Sequence, residues 1–128
     1  MNVKASSLKV RKLREIKELL NCTVIWADDE LLDIEIGRAG AADLMSDILA
    51  FTQPDSLMLT GLVNIQSVRT ADIADVKAII YVRGKIPTPD SIELAKEKKI
   101  PLLSTNYHMY EACGILYSNG ISGNTNGS

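Results

Sequence analysis

Short apolar runs alternate along this chain with stretches of helical period. Thr23 to Ala27, Leu57 to Thr60, Ala78 to Val82 and Leu102 with Leu103 are each cut off by a glycine, a proline or a polar turn. Runs this short and this continuous fit strands buried on both faces of a parallel sheet. Between them the period changes. Leu13, Ile16 and Leu20 recur at helical spacing with Lys9, Arg11, Lys12, Arg14 and Lys17 in the other positions, which predicts an amphipathic helix from about Val10 to Leu20 after a frayed Met1 to Ser7. Leu44, Ile48 and Phe51 predict a second helix from about Asp43 to Phe51. Met109, Ala112, Cys113 and Leu116 form the cleanest helical stripe, with Thr105 able to cap it and Asn119-Gly120 to stop it. Leu32, Ile34 and Ile36 alternate with Asp33 and Glu35, the pattern of an edge or half-buried strand that is antiparallel or outside the main sheet. The segment from Asn64 to Asp75 is spaced loosely and reads as one broken helix or two short ones, with Thr70 as a possible cap.

The stretch from Val76 to Thr105 carries the strongest local signals. Its strand at Ala78 runs into Gly84 and Pro87. Thr88 then stands at a cap position, Pro89 fits the first helical position, and Asp90 with Glu93 suits the positive end of the helix dipole. Lys96, Lys98 and Lys99 crowd the last turn, and Pro101 ends the helix before Leu102 and Leu103. A strand, a crossover helix and a second strand make a βαβ unit, whose crossover is right-handed almost without exception. The expected class is therefore α/β, a mainly parallel sheet with helices on both faces in a single three-layer domain.

Composition narrows this further. With 128 residues, 46% of them hydrophobic and 23% charged, the chain suits one domain over residues 1–121, followed by a polar, glycine-rich tail at 122–128 expected to be disordered. A net charge of −2 offers no general attraction to nucleic acid, and the basic face of the first helix reads as a solvated surface. There is no apolar run of about 18 residues and no charged-then-apolar leader pattern, so a cytoplasmic protein without a membrane partner is the default expectation. Cys22 and Cys113 stand far apart, and His108 is the single histidine. That set assembles neither a zinc nor an iron–sulfur site, so no metal and no cofactor are expected and the thiols read as buried and free.

In open α/β sheets, ligands bind in the crevice at the carboxyl ends of the strands. Here those ends are Thr60-Gly61, Arg83-Gly84 and Ser104-Thr105, with Asn64, Gln66, Arg69 and His108 following closely. Amides, hydroxyls and a guanidinium make a set for holding a phosphate or carboxylate rather than for breaking a bond. A second place for an anion is the small-residue segment from Gly37 to Ala42, read as a loop entering the next helix. Gly40 there can expose amides beside Arg38, or the segment is a tight turn in which backbone packs on backbone. No nucleophile–base pair, carboxylate pair or catalytic motif is present, so no enzyme activity is expected.

Taken in order, the run LMSDILAF, the strand from Leu57 to Gly61, the segment AIIYVRGK, the pattern A-K-x-x-x-I-P-L-L-S-T and the closing M-Y-E-A-C-G-I-L-Y resemble the DRTGG domain family, over about Val10 to Ile121. The resemblance implies an α/β module similar in fold to the amino-terminal domain of HPr kinase/phosphorylase. Such modules stand alone or beside phosphate acetyltransferases, regulatory pyrophosphatases with cystathionine-β-synthase-type (CBS) nucleotide-binding domains, and iron-only hydrogenases. The family's name-giving residues are altered here: the glycine-aspartate-arginine part has no counterpart near Asn64 to Arg69, and the threonine-glycine-glycine part is reduced to Val82-Arg83-Gly84. Arg83 thus stands where the family tends to keep a glycine or small residue. The function expected is a non-catalytic regulatory module that binds a nucleotide or another small anion and pairs with itself as a homodimer. The alternatives are a structural adaptor for a redox-enzyme partner of the iron–sulfur hydrogenase type, and a small enzyme.

Overall fold

The computed structural model describes residues 10–124. The expectation for Met1 to Ser7 lies outside those residues. In chain order the elements are β1 (Arg11–Lys12), α1 (Leu13–Leu19), β2 (Thr23–Trp26), a 3-10 turn (Asp29–Asp33), β3 (Glu35–Ile36), β4 (Ala39–Ala41), α2 (Met45–Phe51), β5 (Leu57–Thr60), α3 (Ile65–Ile73), β6 (Ala78–Tyr81), α4 (Pro89–Lys98), β7 (Leu102–Ser104) and α5 (Met109–Ser118). The main sheet has the order β2-β7-β6-β5-β4, and β1 pairs with β3 in a separate antiparallel ribbon. The ladders β4–β5, β5–β6 and β6–β7 are parallel, while β2 joins the far edge antiparallel to β7.

Every residue of β5, β6 and β7 is buried, as continuous apolar runs require of strands covered on both faces. Successive side chains point to opposite faces. Leu57, Leu59, Ala78, Ile80 and Leu103 therefore pack with Leu13, Ile16 and Leu20 and with Ala112 and Leu116 of α5. Met58, Ile79, Tyr81 and Leu102 pack on the other face with Ile48 of α2, Val68 and Ala71 of α3 and Ala95 of α4. The domain is thus α/β with helices on both faces of a mostly parallel sheet, and the stripe on α5 packs as its spacing predicts.

Several boundaries differ from the sequence reading, each for a local reason. The first helix begins at Leu13 because Val10 to Lys12 is extended, and the Lys12 amide donates to the Glu15 carboxylate at 2.9 Å to cap it. The alternation from Leu32 to Ile36 is not one strand. Leu32 belongs to the 3-10 turn, and only Glu35–Ile36 pairs as a strand, outside the main sheet. Segment 64–75 is one helix with Thr70 buried inside it, and the Asn64 side chain caps it by accepting from the Gln66 amide at 3.0 Å. Thr105 does not cap α5: its hydroxyl donates to the Leu20 carbonyl at 2.7 Å, and His108 takes the cap position.

The largest correction concerns residues 37–42. Ala39–Ala41 is a parallel edge strand in register with Leu57, Met58 and Leu59, rather than a loop entering a helix. The first residues of the tail make hydrogen bonds to the domain. Ser122 bridges Arg38, and Asn124 Oδ1 accepts from the Gln53 amide at 2.9 Å and the Ser56 hydroxyl at 2.8 Å. Residues 125–128 lie outside the described chain.

Candidate anion site at the strand ends

Parallel register carries the last residues of three strands to one edge. Thr60 is level with Tyr81, and Tyr81 with Ser104, so Gly61, Arg83-Gly84 and Thr105 emerge side by side. At the end of β6 the chain turns back sharply. The Val82 carbonyl accepts from the Lys85 amide at 3.2 Å, and the two central residues, Arg83 and Gly84, have φ of 60° and 67°. Positive φ at both central positions marks a type I′ turn, which favours Asn-Gly or Gly-Gly. Glycine at 84 suits its φ, which L-residues rarely adopt, and an added Cβ would lie 2.8 Å from Asn106 Oδ1, which would have to swing aside. Arginine at 83 is the exception, since the left-handed region costs an L-residue roughly 1–2 kcal/mol.

That conformation is held from outside the turn. The Arg83 amide donates to the Tyr107 carbonyl at 2.8 Å and the Gly84 amide to the Thr105 carbonyl at 2.7 Å. The Ser104 hydroxyl donates to the Lys85 carbonyl at 2.8 Å. Surroundings that over-determine a strained residue are typical of sites where its side chain has a task. The Arg83 guanidinium itself is exposed and makes no hydrogen bond or ion pair with a described residue. One of its nitrogens, Nη2, lies 3.2 Å from where a Cβ on Gly61 would stand.

Gly61 is held on each side of its own peptide groups. Its amide donates to Asp43 Oδ1 at 2.6 Å, and its carbonyl accepts from Lys85 Nζ at 3.0 Å. The Thr60 hydroxyl donates to the same Asp43 oxygen at 3.2 Å. The edge therefore presents Arg83, Lys85 and Asp43 around one small residue.

The predicted site residues divide into three groups. Gly61, Arg83, Gly84, Ser104 and Thr105 meet at this edge, but the Ser104 and Thr105 hydroxyls are engaged in fixing the backbone. Asn64, Gln66 and His108 follow the strand ends, all exposed. Asn64 caps α3, Gln66 accepts from Arg69 at 3.1 Å, and His108 starts α5. Arg38 and Gly40 lie apart from this edge. The Arg38 carbonyl accepts from the Leu57 amide at 2.9 Å, which places Arg38 at the start of β5, the opposite end of the sheet. Asp43, Lys85 and Asn106 were missed. Lys85 closes a turn already suspected, whereas Asp43 reaches Gly61 across 18 positions and leaves no local signal.

The remaining chemistry is structural. Burial pushes the Cys22 thiol up to about 12 and raises that of Cys113, so both free cysteines are held as thiols. Burial likewise raises the Tyr81 hydroxyl to about 12, with Ser67 Oγ 2.8 Å away. Among the described residues no cluster of histidine, cysteine and carboxylate side chains is placed to hold a metal, and no helix is long and apolar enough to cross a membrane.

No family model matches the chain, and no curated protein matches it. Among solved structures, it is similar to the CBS and DRTGG domains of the regulatory region of a Clostridium perfringens pyrophosphatase, complexed with its activator diadenosine tetraphosphate. The TM-score is 0.69 at 19% identity, covering 90% of this chain and 49% of that one, so this chain spans about half its length. A likeness at that identity speaks to fold alone: the chain has a DRTGG-like α/β fold, and the structure it resembles is a regulatory region.

Proposed function

We propose that the chain is a non-catalytic, cytoplasmic regulatory module that holds a small anion of the nucleotide class at the carboxyl edge of its sheet and pairs with itself. One observation carries the ligand: a guanidinium without a partner among the described residues, held beside Gly61 by a strained left-handed turn. Backbone strain is retained where the arrangement it produces has a use. Lys85 adds a second cation, and such groups fix a phosphate by charge-assisted hydrogen bonds. The regulatory pyrophosphatase region of similar fold is seen with a nucleotide activator, which favours this ligand class.

Titration calorimetry against ATP, AMP, diadenosine tetraphosphate and acetyl phosphate tests the reading. Arg83→Ala should weaken binding about tenfold or more, since a hydrogen bond to a charged group contributes roughly 1.5–3 kcal/mol. Arg38→Ala, at the other end of the sheet, should leave it unchanged. Wild-type protein that binds none of these compounds ends the proposal.

Self-association is supported by a groove of about 370 Å³ between α5 and the β4 edge, floored by Leu59 and Leu116 and flanked by Tyr110 and Tyr117. These tyrosines are 87% and 77% exposed, and Gly114 between them leaves room for an incoming side chain. Aromatic residues on an open apolar surface are typical of interface centres. Sedimentation equilibrium should show a dimer that Tyr117→Glu dissociates; a monomer at high concentration overturns the pairing.

A further inference from the structure

The carboxylate of Asp43 is fixed through one oxygen only. Oδ1 takes the Gly61 amide at 2.6 Å and the Thr60 hydroxyl at 3.2 Å, while Oδ2 has no partner among the described residues. The Thr60 hydroxyl is in turn fixed by accepting from the Leu62 amide at 3.1 Å. The result is an acceptor of set position whose second oxygen lies 3.7 Å from where a Cβ on Gly61 would stand. Asp43 makes no ion pair with Arg83, although Arg83 Nη2 and Asp43 Oδ1 lie 3.2 Å and 3.4 Å from the same point over Gly61. Between them the edge offers an acceptor on one side and cations on the other, with no Cβ in the gap.

We infer that Asp43 is a specificity residue that reads a sugar hydroxyl, so that the site takes a nucleoside phosphate in preference to a bare phosphate chain. The inference rests on the strand-end reading above and deepens it. A ligand that donates at one end and is anionic at the other satisfies both sides of the gap. A ribose phosphate has that chemistry: its hydroxyls donate to Oδ2 while its phosphate lies on Arg83 and Lys85. Carboxylates at the carboxyl edge of parallel strands select ribose hydroxyls in other nucleotide sites by the same acceptor-only chemistry. Inorganic polyphosphate has no donor for Oδ2 and meets the negative charge of Asp43 instead. Asp43 therefore favours one ligand and disfavours the other.

Calorimetric titration of ATP, 2′,3′-dideoxy-ATP and inorganic tripolyphosphate against wild type, Asp43→Asn and Arg83→Ala separates the possibilities. Asparagine keeps an oxygen for the Gly61 amide, so the edge stays in place, and unchanged thermal midpoints check this. Asp43→Asn should weaken ATP about tenfold and leave both dideoxy-ATP and tripolyphosphate unchanged or tighter. Equal loss for all three compounds, or no loss for ATP, overturns the role of Asp43 and leaves the anion site standing. If wild type binds none of them, or binds them with no dependence on Arg83, the site itself falls and this inference with it.

Discussion

Each end of the main sheet carries an arginine next to a glycine-containing segment, and the structure treats them in opposite ways. At the amino end, Gly37-Arg38-Ala39-Gly40 is extended. The chain after α5 returns to cover it, with the Ser122 amide donating to the Gly37 carbonyl at 3.1 Å and the Ala39 amide to the Ser122 carbonyl at 2.8 Å. A Cβ on Gly40 would lie 2.6 Å from Asn124 Nδ2, so a larger residue there would push that side chain aside. At the carboxyl end, Arg83-Gly84 forms a left-handed turn, and both residues and the guanidinium are exposed. The same residue types serve as closure in one place and as a presented charge in the other. What decides is the backbone each is given and which segment lies over it.

Behind the carboxyl end lies a hydroxyl that is itself hidden. Thr105 is 1% exposed; its hydroxyl donates to the Leu20 carbonyl at 2.7 Å and accepts from the Tyr107 amide at 3.3 Å. The Tyr107 carbonyl in turn holds the Arg83 amide. Thr105→Val keeps the shape and leaves the Leu20 carbonyl without its partner, which should cost about 1–3 kcal/mol. Urea denaturation should show that loss as a lower midpoint at unchanged slope. Below the transition, Thr105→Val protein should still bind the anion, because the hydroxyl faces α1 and not the open edge. A loss of binding without a loss of stability would instead place Thr105 among the ligand contacts and blur the distinction between scaffold and site.

These two ends also differ in how far they were legible. The buried strands were plain because Leu57 to Thr60 and Ala78 to Val82 are continuous apolar runs bounded by breakers, and burial on both faces demands that pattern. Ala39–Ala41 carries no such contrast. Its side chains are small, and it is a strand only because its backbone finds β5 in register. The direction of β2 was hidden for a similar reason, since Thr23–Trp26 has the apolar character of its neighbours and only the path of the chain sets it antiparallel to β7. The shared edge of the strand ends followed from topology, so Gly61, Arg83 and Gly84 could be grouped from the sequence. Asp43 could not be, because a carboxylate just ahead of a helix already has a sufficient local explanation. The strain at Arg83 was equally out of reach, because a turn that accepts Gly84 does not show that the residue before it is left-handed too.

The smallest effect expected is a change of sign. Replacing Arg83 by glycine removes the left-handed penalty while adding the backbone entropy that glycine loses on folding. The first term is roughly 1–2 kcal/mol and the second roughly 0.5–1, so Arg83→Gly should stabilise the fold by up to roughly 1.5 kcal/mol. Arg38 is not among the residues of positive φ, and its extended backbone bridges Ser122. Arg38→Gly therefore has the entropy cost alone and should destabilise by roughly 0.5–1 kcal/mol. Thermal midpoints of the two variants, read against wild type, should move in opposite directions. Arg83→Gly should also lose the anion, making the more stable protein the one without the site. If both midpoints fall together, the turn at Arg83 is not strained in solution, and the main reason for placing a ligand at that end rather than the other is gone.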